Sequence, residues 1–181
     1  MRFIPTLLSL ARALITPWVV IAVMHGRRQE ALALCVAGGF SDFLDGYLAR
    51  RFGWTSRIGA WMDAVADKVL LSSLFVAFGM AGWAPGWLVM LVIGRDLVIL
   101  ALAGAGLAFT PIRDFPPSVW GKVSTNVQIL TAFVTLANPG SALSSLFSTM
   151  IVVCATTTAW SGLHYVVAGI ARYRKFVRAP D

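Results

Sequence analysis

Long apolar stretches recur along this sequence and are separated by short segments that contain polar residues, glycine or proline. The stretches are residues 3–24, 31–48, 58–82, 86–109, 123–137 and 141–170. A helix needs roughly 20 mostly apolar residues to cross a bilayer, and the runs lack the alternation of a membrane β-barrel. We therefore predict an all-α integral membrane protein with six transmembrane helices, in one domain over residues 1–181.

Composition and charge agree with this interpretation. The chain is 58% hydrophobic and 13% charged, more apolar than a soluble domain. Its net charge of +7 is unevenly placed, because in a six-span arrangement only Arg27 and Arg28 lie on the side opposite to ten other basic residues. Those ten are Arg2, Arg50, Arg51, Arg57, Arg113, Lys122, Arg172, Arg174, Lys175 and Arg178. The positive-inside rule then places both termini in the cytoplasm, at the cell (inner) membrane. We expect the basic tail to contact anionic membrane lipids and not nucleic acid.

Four of the eight acidic residues lie close together in apolar surroundings: Asp42, Asp45, Asp63 and Asp67. Carboxylates near a bilayer are costly, so they indicate a functional site. Asp42 and Asp45 are three residues apart, and Asp63 and Asp67 are four apart, so each pair shares a helix face. Two antiparallel helices with a short connection would set the two pairs against each other, toward the cytoplasmic helix ends.

Clustered carboxylates repel one another and must be neutralised. Hard divalent cations do this with oxygen ligands, and Mg²⁺ also suits phosphate substrates. Two such ions would hold the oxygens of a displaced phosphate. Gly46 and Gly59 leave room for a ligand, and Arg50 can donate two hydrogen bonds to phosphate. The pattern therefore favours a metal-assisted phosphate site.

Spacing alone leaves three other interpretations open. The aspartates could pair with Arg50 and Lys68 and simply hold the helices together. They could belong to a cation carrier or channel, which metal flux in liposomes without lipid chemistry would favour. A non-catalytic membrane scaffold would require the four aspartates to be dispensable.

The same residues form a longer motif. The sequence reads Asp42-Phe-Leu-Asp45-Gly46-Tyr-Leu-Ala49-Arg50 and, after eight residues, Gly59-Ala-Trp-Met-Asp63-Ala-Val-Ala-Asp67. It resembles the signature of the CDP-alcohol phosphatidyltransferase family, and all eight defining positions match. The segment from Ile4 to Arg12, the six spans and the chain length also resemble that family, which implies its fold.

The resemblance implies transfer of the phosphatidyl group from CDP-diacylglycerol to an alcohol, with release of CMP, in phospholipid biosynthesis. It implies two Mg²⁺ or Mn²⁺ ions, one held by Asp42, Asp45 and Asp63 and the other by Asp42, Asp63 and Asp67. Asp67 would also act as the general base on the acceptor. The CDP-lipid would be bound by Gly46, Ala49, Arg50, Ser56 and Gly59. A homodimer is a further expectation from the family.

The identity of the acceptor alcohol must be inferred from residues outside this motif. Two branches of the family look similar: one uses phosphatidylglycerol and makes cardiolipin, and the other uses glycerol 3-phosphate. Arg95-Asp96 and the run Lys122-Val-Ser-Thr-Asn-Val-Gln128 resemble the cardiolipin branch, although Ser124 stands in place of its Asn. Ala64 also replaces the Pro common to both branches. We predict phosphatidylglycerol as the acceptor, with glycerol 3-phosphate as the alternative.

Three basic residues are candidates for binding the acceptor phosphate: Arg12, Arg95 and Lys122. For Arg95 the alternative is a pair with Asp96 or another polar group within or between helices. For Lys122 it is a side chain that extends to the membrane interface.

Overall fold

The computed structural model describes residues 4–51, 57–109, 118–137 and 144–178, with side chains for residues 14–41, 68–102, 118–137 and 145–171. Within these ranges the chain forms six α-helices and no strand. The helices are α1 (Ile4–Met24), α2 (Arg28–Arg51), α3 (Arg57–Met80), α4 (Gly86–Phe109), α5 (Val119–Ala137) and α6 (Ser144–Arg178). The prediction of an all-α fold with one helix in each apolar stretch is therefore confirmed for this part of the chain.

Membrane-spanning length is clearest in α6. Its segment Ser145–Ala171 has 27 residues and, among the described residues, is the one helix long and apolar enough to cross a membrane by length and composition. Shorter apolar segments, Leu14–Met24 and Lys68–Met80, lie in α1 and α3. The six helices are thus observed, whereas six membrane spans stay a prediction.

Two glycines, Gly26 and Gly82, follow the ends of α1 and α3. Gly26 has a φ of 73° and Gly82 a φ of 71°, a conformation that side chains with a Cβ rarely adopt. After α1, the amide of Arg27 donates to the carbonyl of Ala22 at 2.9 Å and that of Gly26 to Val23 at 3.0 Å. The same pair of bonds follows α3 around Gly82. Both turns are Schellman motifs, which is why the chain reverses within a few residues here.

The chain divides into two compact units, and the prediction of one domain over residues 1–181 stays a prediction. The first unit comprises Met1–Pro85 with Thr135–Gly140, and in it α1 packs against both α2 and α3. Its core contains Val19, Val23 and an edge-to-face pair of phenylalanines, Phe75 and Phe78, with ring centroids 6.1 Å apart. The two helices that carry the acidic motif, α2 and α3, therefore both pack against α1.

The second unit comprises Gly86–Val134 with Ser141–Asp181, and in it α4 packs against α6. Its interior contains a row of buried polar residues: Arg95, Ser124, Gln128, Thr131, Thr158 and Ser161. Apolar residues such as Leu88 and Val92 are buried in this unit as well, while Met90, Leu97 and Val152 are exposed. Buried polar contacts together with exposed large apolar side chains are typical of helices that associate in lipid.

Thr158 joins α5 to α6 through this polar row. Its Oγ1 accepts a hydrogen bond from Gln128 Nε2 at 3.1 Å and lies 3.3 Å from Ser124 Oγ. Gln128 is fully buried, and its Oε1 has no hydrogen-bond partner among the described residues. One hydroxyl on α6 therefore gives the buried Gln128 amide nitrogen on α5 its shortest hydrogen bond, and Ser124 Oγ accepts from the same nitrogen at 3.5 Å.

We expect Thr158→Val to lower the free energy of unfolding by about 1–2 kcal/mol, because it leaves the buried Gln128 amide short of a partner. Thr157→Val is the matched control, since among the described residues the Thr157 hydroxyl bonds only to carbonyls of its own helix, those of Val153 and Cys154. Thermal unfolding of both purified variants in one detergent makes the comparison. Equal losses of stability would show that the contact between α5 and α6 contributes nothing.

Candidate active site

The acidic motif lies on two neighbouring helical segments. Asp42, Asp45, Gly46, Ala49 and Arg50 are positions of α2, and Gly59, Asp63 and Asp67 are positions of α3. Both segments are helical at these positions, so each aspartate pair shares one helix face, as its spacing predicted. The side chains of these residues and the whole of Ser56 lie outside the described residues.

Both aspartate pairs lie near the connection between α2 and α3. Asp45 and Asp63 are each six residues from the helix end at that connection, and Asp42 and Asp67 are nine and ten residues from it. At about 1.5 Å per residue, the four positions lie about 9 to 15 Å along their helices from these ends. Only five residues, 52–56, join the two helices. The backbone thus places all four positions within about three helical turns of one short connection.

A divalent metal fits the chemistry of this donor set. Carboxylates are hard oxygen ligands, and two of them on each helix face supply the donors that Mg²⁺ or Mn²⁺ prefers. Elsewhere, among residues with described side chains, no cluster of three or more His, Cys, Asp or Glu residues occurs. The metal prediction rests on the four carboxylates of the acidic motif.

Arg95, a candidate for acceptor binding, lies inside the second unit with 6% of its surface exposed. Its Nη1 donates to Asp96 Oδ1 at 2.6 Å, and its Nη2 donates to Ser161 Oγ at 3.0 Å and to the carbonyl of Gly121 at 3.4 Å. The structure therefore shows the pair with Asp96 that the sequence offered as the alternative. Its Nε has no hydrogen-bond partner among the described residues. Acceptor binding by Arg95 stays a prediction.

Lys122 and Arg12 differ from Arg95 in their surroundings. Lys122 is exposed on the first turn of α5. That turn begins at Ser118, whose Oγ accepts a hydrogen bond from the amide of Gly121 at 3.0 Å, as an N-cap residue does. Arg12 is a position of α1, and its side chain lies outside the described residues. Of the three candidates, Lys122 is the one whose described side chain is open to a ligand.

The sequence interpretation missed two residues of α6 that surround Arg95. Ser161 binds its guanidinium, and the ring of Tyr165 lies 5.9 Å from it, at cation–π distance. Thr158, Ser161 and Tyr165 are spaced by three and four residues, so these polar residues form one stripe along a face of α6. That stripe was the available signal.

Comparison with known proteins decides the family. The family model described as CDP-alcohol phosphatidyltransferase matches residues 2–172, which include all eight motif positions. The chain belongs to the CDP-alcohol phosphatidyltransferase family. The family model and the names of its relatives identify the chain as an enzyme that transfers a phosphatidyl group. The interpretations as a cation carrier and as a non-catalytic scaffold therefore do not apply to this phosphatidyltransferase.

Its relatives carry two different names. An Escherichia coli K12 protein named CDP-diacylglycerol–glycerol-3-phosphate 3-phosphatidyltransferase is 34% identical over 177 residues, which cover 93% of this chain and 95% of that protein. A Sodalis glossinidius protein of the same name is 32% identical over 91% of this chain and 93% of its own length. A Drosophila melanogaster protein named probable cardiolipin synthase (CMP-forming) is 29% identical over 75% of this chain.

The coverage of these relatives is unequal. The match spans 47% of the Drosophila protein, about half of its length, but nearly all of the bacterial proteins. The names share the family reaction and differ in the acceptor. They therefore establish the phosphatidyltransferase class for this chain and leave the acceptor to be argued from its own residues.

Proposed function

We propose that this phosphatidyltransferase transfers the phosphatidyl group of CDP-diacylglycerol to phosphatidylglycerol, forming cardiolipin and CMP with the help of two divalent metal ions. The observation that carries the proposal is the complete eight-position motif on the helical backbone of α2 and α3, beside one short connection. The paired carboxylates suit metal and phosphate, and the glycines at positions 46 and 59 leave room for the nucleotide.

In the proposed reaction a hydroxyl oxygen of the acceptor attacks the phosphorus of the phosphatidyl group. A new P–O bond forms to the acceptor, and the P–O bond to the phosphate of CMP breaks. Asp67 takes the proton of the attacking hydroxyl, since an alcohol is a weak nucleophile until a base removes it. Bound divalent metal, held by Asp42, Asp45, Asp63 and Asp67, supplies charge stabilisation for the phosphate oxygens. CMP leaves with the electron pair of the broken bond.

The remaining motif residues bind the CDP-lipid in this proposal. Arg50 donates paired hydrogen bonds to the diphosphate, because the planar guanidinium can face two oxygens of one phosphate at once. Ser56 adds a hydroxyl donor, while Gly46, Ala49 and Gly59 are small enough for the cytidine to approach the helices. These are roles for binding and orienting the donor, and none of them moves a proton.

We place the reaction at the cytoplasmic face of the cell (inner) membrane. In support, the apolar segment Ser145–Ala171 is long enough to span it, and only 22% of its most apolar window is buried within the protein. The basic residues concentrate on one side of the six-span arrangement, which favours cytoplasmic termini and a cytoplasmic site. The family also favours a homodimer.

The acceptor rests on residues outside the motif. Phosphatidylglycerol is supported by the Arg95-Asp96 pair and by the run from Lys122 to Gln128, in which Gln128 is buried beside Ser124 and Thr158. Glycerol 3-phosphate is the second candidate, and the names of the near-full-length bacterial relatives support it. Both acceptors carry a phosphate, for which we propose Lys122, Arg12 and Arg95 as binding residues.

A side-by-side assay separates the two acceptors. Purified protein is given CDP-diacylglycerol and Mg²⁺ with either phosphatidylglycerol or glycerol 3-phosphate, and the lipid product is identified by mass spectrometry. We expect cardiolipin from the first mixture at a rate at least about tenfold above phosphatidylglycerophosphate from the second, a difference of about 1.4 kcal/mol in transition-state binding. Phosphatidylglycerophosphate as the dominant product would replace our acceptor with the alternative.

A further inference from the structure

The first turn of α5 lies unusually close to Tyr165 of α6. A Cβ added at Gly121 would be 2.6 Å from the Tyr165 hydroxyl oxygen, closer than real Cβ atoms approach other atoms, and 3.1 Å from its Cε2, which is also tight. The other glycines with described surroundings have open space or ordinary contacts, the nearest being 3.5 Å at Gly162 and Gly169. Gly121 is therefore required by the position of the Tyr165 ring.

Tyr165 also holds this turn by a hydrogen bond. Its hydroxyl oxygen accepts from the amide of Ser118, the N-cap residue, at 3.1 Å. Ser118 in turn caps the amide of Gly121. An amide at a helix start has no partner within its own helix, so this hydroxyl supplies a contact that the helix cannot provide for itself. The start of α5 is thus attached to α6.

Arg95 holds the same turn from α4. Its Nη2 donates to the carbonyl of Gly121, which also accepts from Thr125 Oγ1 at 3.0 Å. The guanidinium is fixed by Asp96 and Ser161 and lies near the Tyr165 ring. Residues of two helices, α4 and α6, therefore fix the position of one turn of α5. The exposed residue that follows Gly121 on this turn is Lys122.

We propose that Tyr165 is a positioning residue, which together with Arg95 fixes the first turn of α5 so that the Lys122 amine meets the phosphate of the acceptor. The inference rests on the proposed function, because it takes Lys122 as an acceptor contact. Tyr165 has no contact with substrate in this proposal and acts only through the turn. Its effect is therefore expected on the KM for the acceptor and not on the KM for CDP-diacylglycerol.

The central test is a double-mutant cycle with Tyr165→Phe and Lys122→Ala. Each single variant is expected to raise the KM for phosphatidylglycerol, the acceptor probe, by about fivefold or more, with the KM for CDP-diacylglycerol changed by less than about twofold. In the double variant, Tyr165→Phe should add nothing to Lys122→Ala, because residues that act through one contact are not additive. Glycerol 3-phosphate is assayed in parallel, so that the response is assigned to the lipid or to the free phosphate acceptor.

A second pair of variants tests the close approach itself. Gly121→Ala places a methyl group against the Tyr165 hydroxyl and is expected to raise the acceptor KM more than Tyr165→Phe does. Adding Tyr165→Phe to Gly121→Ala removes the 2.6 Å contact and should recover part of that loss. Gly162→Ala is the control, because its Cβ would make only an ordinary contact with Arg95 Cγ at 3.5 Å.

The outcomes separate this inference from the function on which it rests. A wild-type protein without CMP release would overturn the proposed function before any variant is compared. With an active wild type, an unchanged acceptor KM in Tyr165→Phe would overturn the positioning role. The same holds if both substrates' KM values rise equally, or if the effects of Tyr165→Phe and Lys122→Ala multiply. Tyr165→Phe is conservative, so its test stands even where Gly121→Ala fails to fold.

Discussion

Asp67→Asn is expected to lower the rate of CMP release by roughly 10²–10⁴-fold, the range that a lost general base usually costs. The amide keeps the size and shape of the carboxylate but cannot take the proton of the acceptor hydroxyl. Binding of the CDP-lipid should persist in part, because three carboxylates remain for metal. The measurement is the initial rate of CMP formation, with nucleotide binding followed separately.

The matched control for Asp67→Asn is Glu30→Gln. Glu30 lies on the first turn of α2, is exposed, and pairs with Arg27 at 3.1 Å. Its replacement also removes one carboxylate from a helix that carries the motif, but Glu30 lies near the start of α2, whereas the motif lies near the end of that helix. We expect its rate to stay within about twofold of the wild type, since exposed ion pairs contribute little. An Asp67→Asn variant as active as this control would refute the base assignment.

Removal of divalent metal is expected to lower turnover by at least about 100-fold, because a bound metal ion contributes several kcal/mol of charge stabilisation in such reactions. Four neighbouring carboxylates without a cation would also repel one another and the diphosphate of the substrate. Purified protein treated with EDTA is assayed before and after addition of Mg²⁺ or Mn²⁺. We expect recovery with either ion.

Variants of the ligands distinguish a metal site from a general salt effect. Asp63→Ala removes a residue that we assign to both metal ions, so excess Mg²⁺ should not restore its activity. Full turnover in metal-free wild-type protein would contradict the role of the metal. So would complete rescue of Asp63→Ala at ordinary Mg²⁺ concentrations, since a carboxylate shared by two ions cannot be dispensable.

The helices could be predicted from the sequence because their physical cause is local. Apolar runs of membrane length, ended by Gly26 and Gly82, gave α1 and α3 nearly their observed bounds. The predicted helix ends were less accurate where a helix extends beyond its apolar stretch into polar residues. α5 begins at Val119 and not at residue 123, because Ser118 caps it ahead of Lys122. α6 continues to Arg178 past residue 170, because basic residues end an apolar stretch without ending a helix.

The helical backbone of the motif was also predictable, because its residues are three and four positions apart along each helix, whereas the roles of their side chains stay a prediction. The surroundings of Arg95 were not predictable, because they depend on contacts between residues far apart in sequence. Ser161 lies 66 positions from Arg95, and Tyr165 lies 47 positions from Ser118. No local pattern specifies which polar residue of one helix meets which residue of another. The acceptor was difficult for the same reason, since its proposed residues belong to different helices.

The most direct test of the phosphatidyl-transfer function follows CMP and lipid together. Purified protein is mixed with CDP-diacylglycerol, Mg²⁺ and an alcohol acceptor, and both products are quantified over time. The account predicts CMP release that requires the acceptor, with one molecule of new phospholipid formed for each CMP. Folded protein that releases no CMP with phosphatidylglycerol, with glycerol 3-phosphate or with any other plausible alcohol would contradict it.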